Sequence, residues 1–385
     1  MTVVEPRRAS PRRAAIVAAA AELFAERGFS GAGIDEIGAR AGITGPGIYR
    51  HFRGKDRLLE AVVAHAIDAF TVAPSAPAPT VEQLAASAVA VGLDEPATLR
   101  VYVRERHRLD GEAKADLAHA ERLLYRPWRR AIRAVNPALA PRAVALRQRA
   151  VLTALSDVAT RRRLVERPAL DGLLANSMVA VLSAPPAVPA PAGERTTGWS
   201  VAPSRRDEIL AAALRLFRDR GYHGVGMDEI GAAVGISGPT IYFHYPSKVD
   251  LLADAHERAS VRVTVAAHDA VADADSASDA LDRLAAAHLK VARDNPDLIL
   301  VTSRETAVLE GADLERLRGR ALEVVELWCS VLRELRPDLA PPAVRTVVWG
   351  VFPVINQVAY ALDGPGDGVP LVRAWALGAG DPSRR

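Results

Sequence analysis

Two short stretches carry the side chains best placed for chemistry. Residues 42–55 read GITGPGIYRHFRGK, and residues 235–248 read GISGPTIYFHYPSK. Each opens on a glycine turn, sets a proline where the first turn of a helix tolerates one, and follows an Ile-Tyr pair with His and Lys. Hydroxyl, phenol, imidazole and ammonium groups in that order on one short helix suit hydrogen bonds to a polyanion better than bond-making. Nothing else in the chain points to catalysis. It has no glycine-rich phosphate loop, no H-E-x-x-H and no nucleophile elbow, so neither an enzyme nor a cofactor or metal is expected. Cys329 is the single cysteine, which excludes an intrachain disulfide.

The elements around these stretches read as helices. Ile16, Ala20, Leu23 and Phe24 form one apolar stripe, and Ile209, Ala213, Leu216 and Phe217 repeat it. The first helix is expected over 11–27, ending at Gly28, where glycine suits a helix C-terminus. A second, short helix starts near Asp35 and Glu36, whose carboxylates suit its N-terminus, and ends at Gly42 with Ile37 and Ile43 turned inward. Thr44 is placed to cap a third helix over 45–52, and Lys55 opens a longer one through Leu58, Leu59 and Val62. Two short helices joined by a tight glycine turn make a helix-turn-helix. No sustained alternation of period two occurs, so the expected class is all-α.

The chain repeats itself. Residues 12–59 align with 205–252 without a gap, and 27 of the 48 positions are identical. Further on, Asp94 and Pro96 match Asp294 and Pro296, Arg104-Glu105 matches Arg304-Glu305, and Trp128 matches Trp328, now at an offset of 200 rather than 193. The second copy therefore holds seven extra residues between these landmarks. Residues 184–203, APPAVPAPAGERTTGWSVAP, are too rich in proline and small residues to build a core and read as a linker. The expected organisation is head 1–72, body 73–183, linker 184–203, head 204–265 and body 266–385.

Composition sets the outer bounds. A chain of 385 residues with 49% hydrophobic residues supports more than one core, and its net charge of +3 is too small to name a partner. No apolar run reaches the roughly 18 residues of a membrane helix, and the first residues lack the apolar core of a signal peptide. A cytoplasmic protein without membrane contact is expected.

With these residues in hand, the sequence resembles the tetracycline-repressor (TetR) family of transcriptional regulators. The resemblance rests on Phe24, Gly28-Phe29, Ile37, Gly42-Ile43, Ile48-Tyr49, His51-Phe52, Lys55 and Leu58-Leu59, with partners in the second copy, over about 50 residues each. It implies two DNA-reading heads, each followed by a helical body for effector binding and dimerisation. It further implies that Thr44, Tyr49, His51 and Lys55 contact phosphates while Gly45, Pro46, Gly47 and Arg50 face base edges. In the second head the same roles fall to Ser237, Tyr242, His244 and Lys248, and to Gly238, Pro239, Thr240 and Phe243. The family's hydroxyl before the second helix is replaced by Gly33 and Gly226.

The heads are unequal. Residues 1–60 hold ten basic and seven acidic side chains, residues 200–255 six and seven. Because phosphate neutralisation dominates DNA affinity, the first head is expected to bind more strongly, aided by an arm of Arg7-Arg8 and Arg12-Arg13. Arg50 opposes Phe243, which points to two unlike half-sites. Fusing the copies makes their pairing intramolecular, as a pseudo-dimer in which Val151, Leu152, Leu155 and Val158 match Val351, Phe352, Ile355 and Val358, with Arg147 and Gln148 opposite Val347 and Val348. A homodimer of tandem chains is the rival assembly. Candidate effector-lining residues are Tyr102, His107, Tyr125 and Trp128 in the first body, and Trp328, Cys329, Trp349 and Asn356 in the second. The expected function is a regulator of transcription binding double-stranded DNA, a repressor released by a small molecule. The alternative is a helical ligand-binding or scaffold protein whose heads no longer bind DNA.

Overall fold

The computed structural model describes residues 10–71, 78–161, 164–186, 204–305, 308–309, 311–361 and 368–379. Arg7-Arg8, most of the linker, residues 74–77 and Leu362 lie outside the described residues. Among the described residues there are helices and no strand. The first copy consists of α1 (Pro11–Gly31), α2 (Ile34–Arg40), α3 (Gly45–Ile48), α4 (Lys55–Thr71), α5 (Val81–Asp94), α6 (Pro96–Glu105), α7 (Gly111–Val135), α8 (Pro141–Ala159) and α9 (Ala169–Ser183). The second repeats the order as α10 (Arg205–Arg220), α11 (Met227–Ala233), α12 (Gly238–His244), α13 (Lys248–Ala272), α14 (Ala277–Asp294), α15 (Pro296–Arg304), α16 (Gly311–Leu335), α17 (Pro341–Ala361) and α18 (Gly368–Leu377).

Local chemistry sets the ends of these helices. Ser10 Oγ accepts from the Arg13 backbone N–H at 3.3 Å, with Pro11 in the first turn. Gly28 stops regular α1 geometry with φ 71°, as its glycine predicts, and a further turn carries the helix label to Gly31. The second copy has longer fourth and fifth helices: α13 has 25 residues where α4 has 17, and α14 has 18 where α5 has 14. Helix α13 runs unbroken past residue 265, the expected border between head and body.

The chain forms two compact units, residues 1–73 with 91–126 and residues 74–90 with 127–385. In the first, α1 and α4 pack on α6 and carry α2 and α3. In the second, α10 and α13 pack on α15, while α13, α14, α16 and α17 enclose a body interior.

The second unit also joins the copies. Its most extensive helix pairing is α8 with α17, and α9 packs on α18 beside it. Val144, Val151, Leu155, Val344, Val347, Val351 and Ile355 are fully buried on these two long helices. Burial of that kind stabilises by about 1.5–3 kcal/mol per side chain. Thr153 Oγ1 donates to Gln357 Oε1 at 3.4 Å, the Arg161 guanidinium lies 5.3 Å from the centre of the Trp349 ring, and the Ala379 N–H reaches Asn176 Oδ1 at 3.2 Å.

Two residues matched by position across the repeat are used differently in the two copies. Phe352, the counterpart of Leu152, has its ring 5.4 Å from His288 and 6.1 Å from Trp328, inside the second body. Arg147 is buried, and its Nη2 donates to the carbonyls of Ala184 at 3.2 Å and Pro185 at 3.1 Å. The guanidinium therefore sits on the exposed carbonyl end of α9, where a helix favours positive charge. Asn136 Nδ2 adds a 2.8 Å hydrogen bond to Ser183 O at the same end.

Candidate nucleic-acid interface

Each head builds its reading helix on a glycine contact. A Cβ on Gly38 would stand 2.9 Å from the Gly45 nitrogen and 3.0 Å from the Ile43 oxygen, so α2 meets the turn and α3 backbone to backbone. Gly45 is buried, and a Cβ there would meet Asp35 Oδ1 at 1.8 Å. It faces α2, not the outer surface expected of it. Gly231 repeats the contact more loosely, 3.2 Å from the Ile236 oxygen. The glycine replacing the family's hydroxyl is also explained. Glu36 Oε2 accepts the Gly33 N–H at 3.1 Å, and Glu229 Oε2 accepts that of Gly226 at 2.9 Å. These backbone N–H groups, helped by Arg27 and Arg220, hold both carboxyls below their usual range.

The outer face of α3 and its following turn presents Pro46, Tyr49, Arg50 and His51, with Thr44 exposed at the N-cap position. Tyr49 is 57% exposed; Phe24 pairs instead with Phe29, ring centres 5.4 Å apart. On α12 the matching face shows Pro239, Tyr242 and Phe243, the last 88% exposed, while His244 is half-buried. Neither Thr44 nor Ser237 caps with its side chain, contrary to expectation for Thr44; Ser237 Oγ instead pairs with Thr240 Oγ1 at 2.7 Å. Gly47 is half-buried against the turn.

Lys55 and Lys248 are placed otherwise than the resemblance implies. Lys55 Nζ donates to Ser30 O at 3.4 Å and lies 4.6 Å from the centre of the Phe29 ring. Lys248 Nζ donates to the carbonyls of Tyr222 and Val225, both at 2.8 Å, and sits 4.3 Å from the Tyr222 ring centre. Burial pulls both ammonium groups below the usual lysine range. Both tie the start of the fourth helix of the head to the loop after its first helix.

The arm residue Arg13 is likewise engaged. It stacks 4.1 Å from the Phe52 ring centre and donates to His51 O at 3.1 Å. Arg206 does the same with Tyr245, at 4.3 Å, and His244 O, at 3.2 Å. These arginines brace the C-terminal end of the reading helix. Their recurrence at one spacing from an aromatic in both copies was the available signal, and charge counting overlooked it.

What remains for a polyanion differs between heads. Arg12, Arg50 and Arg53 are exposed and make no ion pair among the described residues. The positions matching them hold Arg205, paired with Glu208 at 2.7 Å, then Phe243 and Pro246. Arg206, Arg218 and Arg220 of the second head are also paired, with Asp254, Asp297 and Glu229. Arg215 and Arg262 there are exposed without an ion pair among the described residues. Both heads meet α6 or α15 through a glutamate: Glu105 Oε1 accepts the Phe29 N–H, and Glu305 Oε1 that of Tyr222, each at 3.4 Å.

The effector candidates divide as well. In the first copy Tyr102 is buried and donates to Glu121 Oε1 at 2.7 Å, shares a 2.7 Å hydrogen bond with the Tyr125 hydroxyl and carries Arg106 over its ring. Burial raises the Tyr102 phenol far above its ordinary pKa. His107 is exposed in the 3₁₀ turn Arg106–Arg108, so it does not line an interior. Trp128 is buried. In the second copy Trp328 and Cys329 are buried, the thiol pushed up to about 11. Trp349 faces Arg161 in the α8–α17 seam, outside the body interior it was expected to line. Asn356 follows Phe352 by one turn.

The chain is similar to known regulatory proteins. The family model described as bacterial regulatory proteins, tetR family, matches residues 16–62 and again 209–255. The transcriptional activator FasR of Mycolicibacterium smegmatis is 51% identical over 47 residues, which span 12% of this chain and 22% of FasR. The transcriptional regulator CymR of Pseudomonas putida is 24% identical over 171 residues, 43% of this chain and 83% of CymR. A crystal structure of a TetR-family regulator from Bordetella parapertussis overlays 48% of this chain and 98% of its own at 18% identity, with a TM-score of 0.43. Among the described residues no helix is long and apolar enough to cross a membrane, and no group of three or more His, Cys, Asp or Glu side chains is placed to hold a metal.

Proposed function

We propose, from the match of both heads to the model of bacterial regulatory proteins of the tetR family, a sequence-specific transcriptional regulator that binds double-stranded DNA as a covalent pseudo-dimer. The observation that carries the reading is the seam of α8 and α9 against α17 and α18, which pairs the last two helices of one copy with those of the other inside a single chain. Helix-turn-helix proteins need two heads for half-sites about 34 Å apart, and this chain supplies both. Pro46, Tyr49, Arg50 and His51 read one half-site, with Thr44, Arg12 and Arg53 at phosphates. Pro239, Thr240, Tyr242, Phe243 and His244 read the other, with Ser237 at its phosphates. Arg50 offers two donors to guanine, whereas Phe243 offers only apolar contact, such as to a thymine methyl, so the operator is asymmetric. A small molecule held in a body releases the DNA, which makes the protein a repressor.

Binding-site selection with the purified chain, followed by light scattering of the complex, tests this reading. The expected result is one chain per operator, two unlike half-sites, and a steep fall of log affinity with log salt. A perfectly palindromic operator, four heads per complex or a slope near zero would overturn it.

A further inference from the structure

The second body holds hydrogen-bonding groups that its own fold leaves unused. His288 Nδ1 on α14, Trp328 Nε1 on α16 and Asn356 Oδ1 on α17 are each buried with no hydrogen-bond partner among the described residues. The three helices pack pairwise against one another, and two of the groups flank one ring: Phe352 lies 5.4 Å from His288 and 6.1 Å from Trp328, with Asn356 one turn further along α17. His288 is 8% exposed and Trp328 1%. More than nine in ten buried polar groups find a partner in native proteins, so three orphans on three helices packed together need a reason.

The first copy keeps the tryptophan, as Trp128, but shows that the fold requires neither the histidine nor the asparagine. The positions matching His288, Phe352 and Asn356 are Ala88, Leu152 and Ser156, and His256, a further orphan on α13, is matched by Val63. In the first copy the interior hydroxyls and carboxylate of Tyr102, Glu121 and Tyr125 satisfy one another. At those positions the second copy has Thr302, Ala321 and Val325.

We infer that the second body alone is the sensor, and that its ligand is an uncharged aromatic or alicyclic molecule bearing a hydroxyl or carbonyl group. The inference rests on the effector-released reading above and names the site and the ligand class for it. The ring packs on Phe352, the ligand oxygen accepts from Trp328 Nε1–H, and a ligand hydroxyl donates to Asn356 Oδ1 or His288 Nδ1. The three groups at this site carry no charge, and the buried guanidinium edge of Arg293 on α14, Nε and Nη2, lies against Gly368 of α18. An ionised ligand beside the three groups would sit uncompensated. Burial also keeps the His288 imidazole neutral at pH 7. The same α17 carries Trp349 and Gln357 into the seam with α8, so a ligand on Phe352 and Asn356 acts on the helix that joins the copies.

The test uses 2-naphthol as the neutral hydroxylated probe, with naphthalene-2-carboxylate as its anionic counterpart, on the full chain without DNA. Calorimetry is expected to give one 2-naphthol site per chain and at least tenfold weaker binding of the carboxylate. Replacing His288→Ala with Asn356→Ser, which copies the first body, is expected to weaken 2-naphthol at least tenfold. An indole N–H resonance, assigned by its loss in Trp328→Phe, is expected to move downfield on titration of the unaltered protein, a readout that no destabilised variant can mimic. Equal affinity in the double variant, an unmoved indole resonance, two sites per chain or no saturable binding each overturns the inference. Operator release is measured separately. Binding without release refutes the repressor reading and leaves the sensor assignment standing.

Discussion

Replacing Lys55 or Lys248 by Met keeps the aliphatic stem and removes the ammonium, and the structure assigns unequal consequences to the two. Lys248 loses two 2.8 Å hydrogen bonds to Tyr222 and Val225 carbonyls and a ring contact at 4.3 Å. Lys55 loses one long bond at 3.4 Å and a ring contact at 4.6 Å. Hydrogen bonds from charged groups are worth about 1.5–3 kcal/mol and a cation–π contact about 0.5–2 kcal/mol, less where water reaches the group. With partial exposure discounted, Lys248→Met is expected to destabilise its head by about 3 kcal/mol and Lys55→Met by about 1 kcal/mol. Hydrogen exchange of the head amides reads this directly: since each 1.4 kcal/mol is tenfold, protection near residues 248–260 falls about 100-fold in the first variant, and near 55–67 about fivefold in the second. Neither ammonium reaches a phosphate in this arrangement, so the slope of log affinity against log salt stays unchanged. A slope reduced by about one with exchange unaltered would mean that the lysines bind DNA, and would refute the placement.

Other consequences follow from the same geometry. Arg50→Ala is expected to lose about 1–3 kcal/mol of discrimination at one half-site only, and Phe243→Ala to change the other, as read by binding-site selection with each variant. Gly38→Ala drives a Cβ to within 2.9 Å of backbone and is expected to abolish DNA binding by the first head, whereas Gly231→Ala, at 3.2 Å, weakens the second less; circular dichroism and operator titration report both. His256 and His288 are depressed to about 4 by burial, below the unfolded value. The unfolded chain therefore binds more protons between about pH 4 and 6.5, and stability, complete above 6.5, falls by roughly 2 kcal/mol per histidine by pH 5. The variant His256→Val with His288→Ala, which copies the first body, is expected to flatten that profile in urea titrations at pH 7 and pH 5.

Much of this protein was legible from residue order. The gapless repeat announced two copies of one helix order, because a duplicated core must keep its apolar spacing to fold twice. Gly28, Gly42 and their partners marked where helices end, since left-handed backbone favours glycine. The resemblance put Arg50 and Phe243 on the outer face of the reading helix, and both side chains are exposed, while Ile37 and Ile48 are buried. Tertiary structure alone decided the destination of long or doubly useful side chains. Lys55, Lys248 and Arg13 have reach enough to serve either a phosphate or a neighbouring carbonyl and ring, and only packing shows that the head itself holds them. The sequence places Arg147 opposite Val347, and only the structure shows that the end of α9 supplies its carbonyl partners. The contrast between Tyr102, satisfied by Glu121 and Tyr125, and His288, Trp328 and Asn356, left without partners, cannot be seen in one dimension. Saturation of a buried polar group depends on which helices meet, and a sequence lists the groups without saying which of them touch.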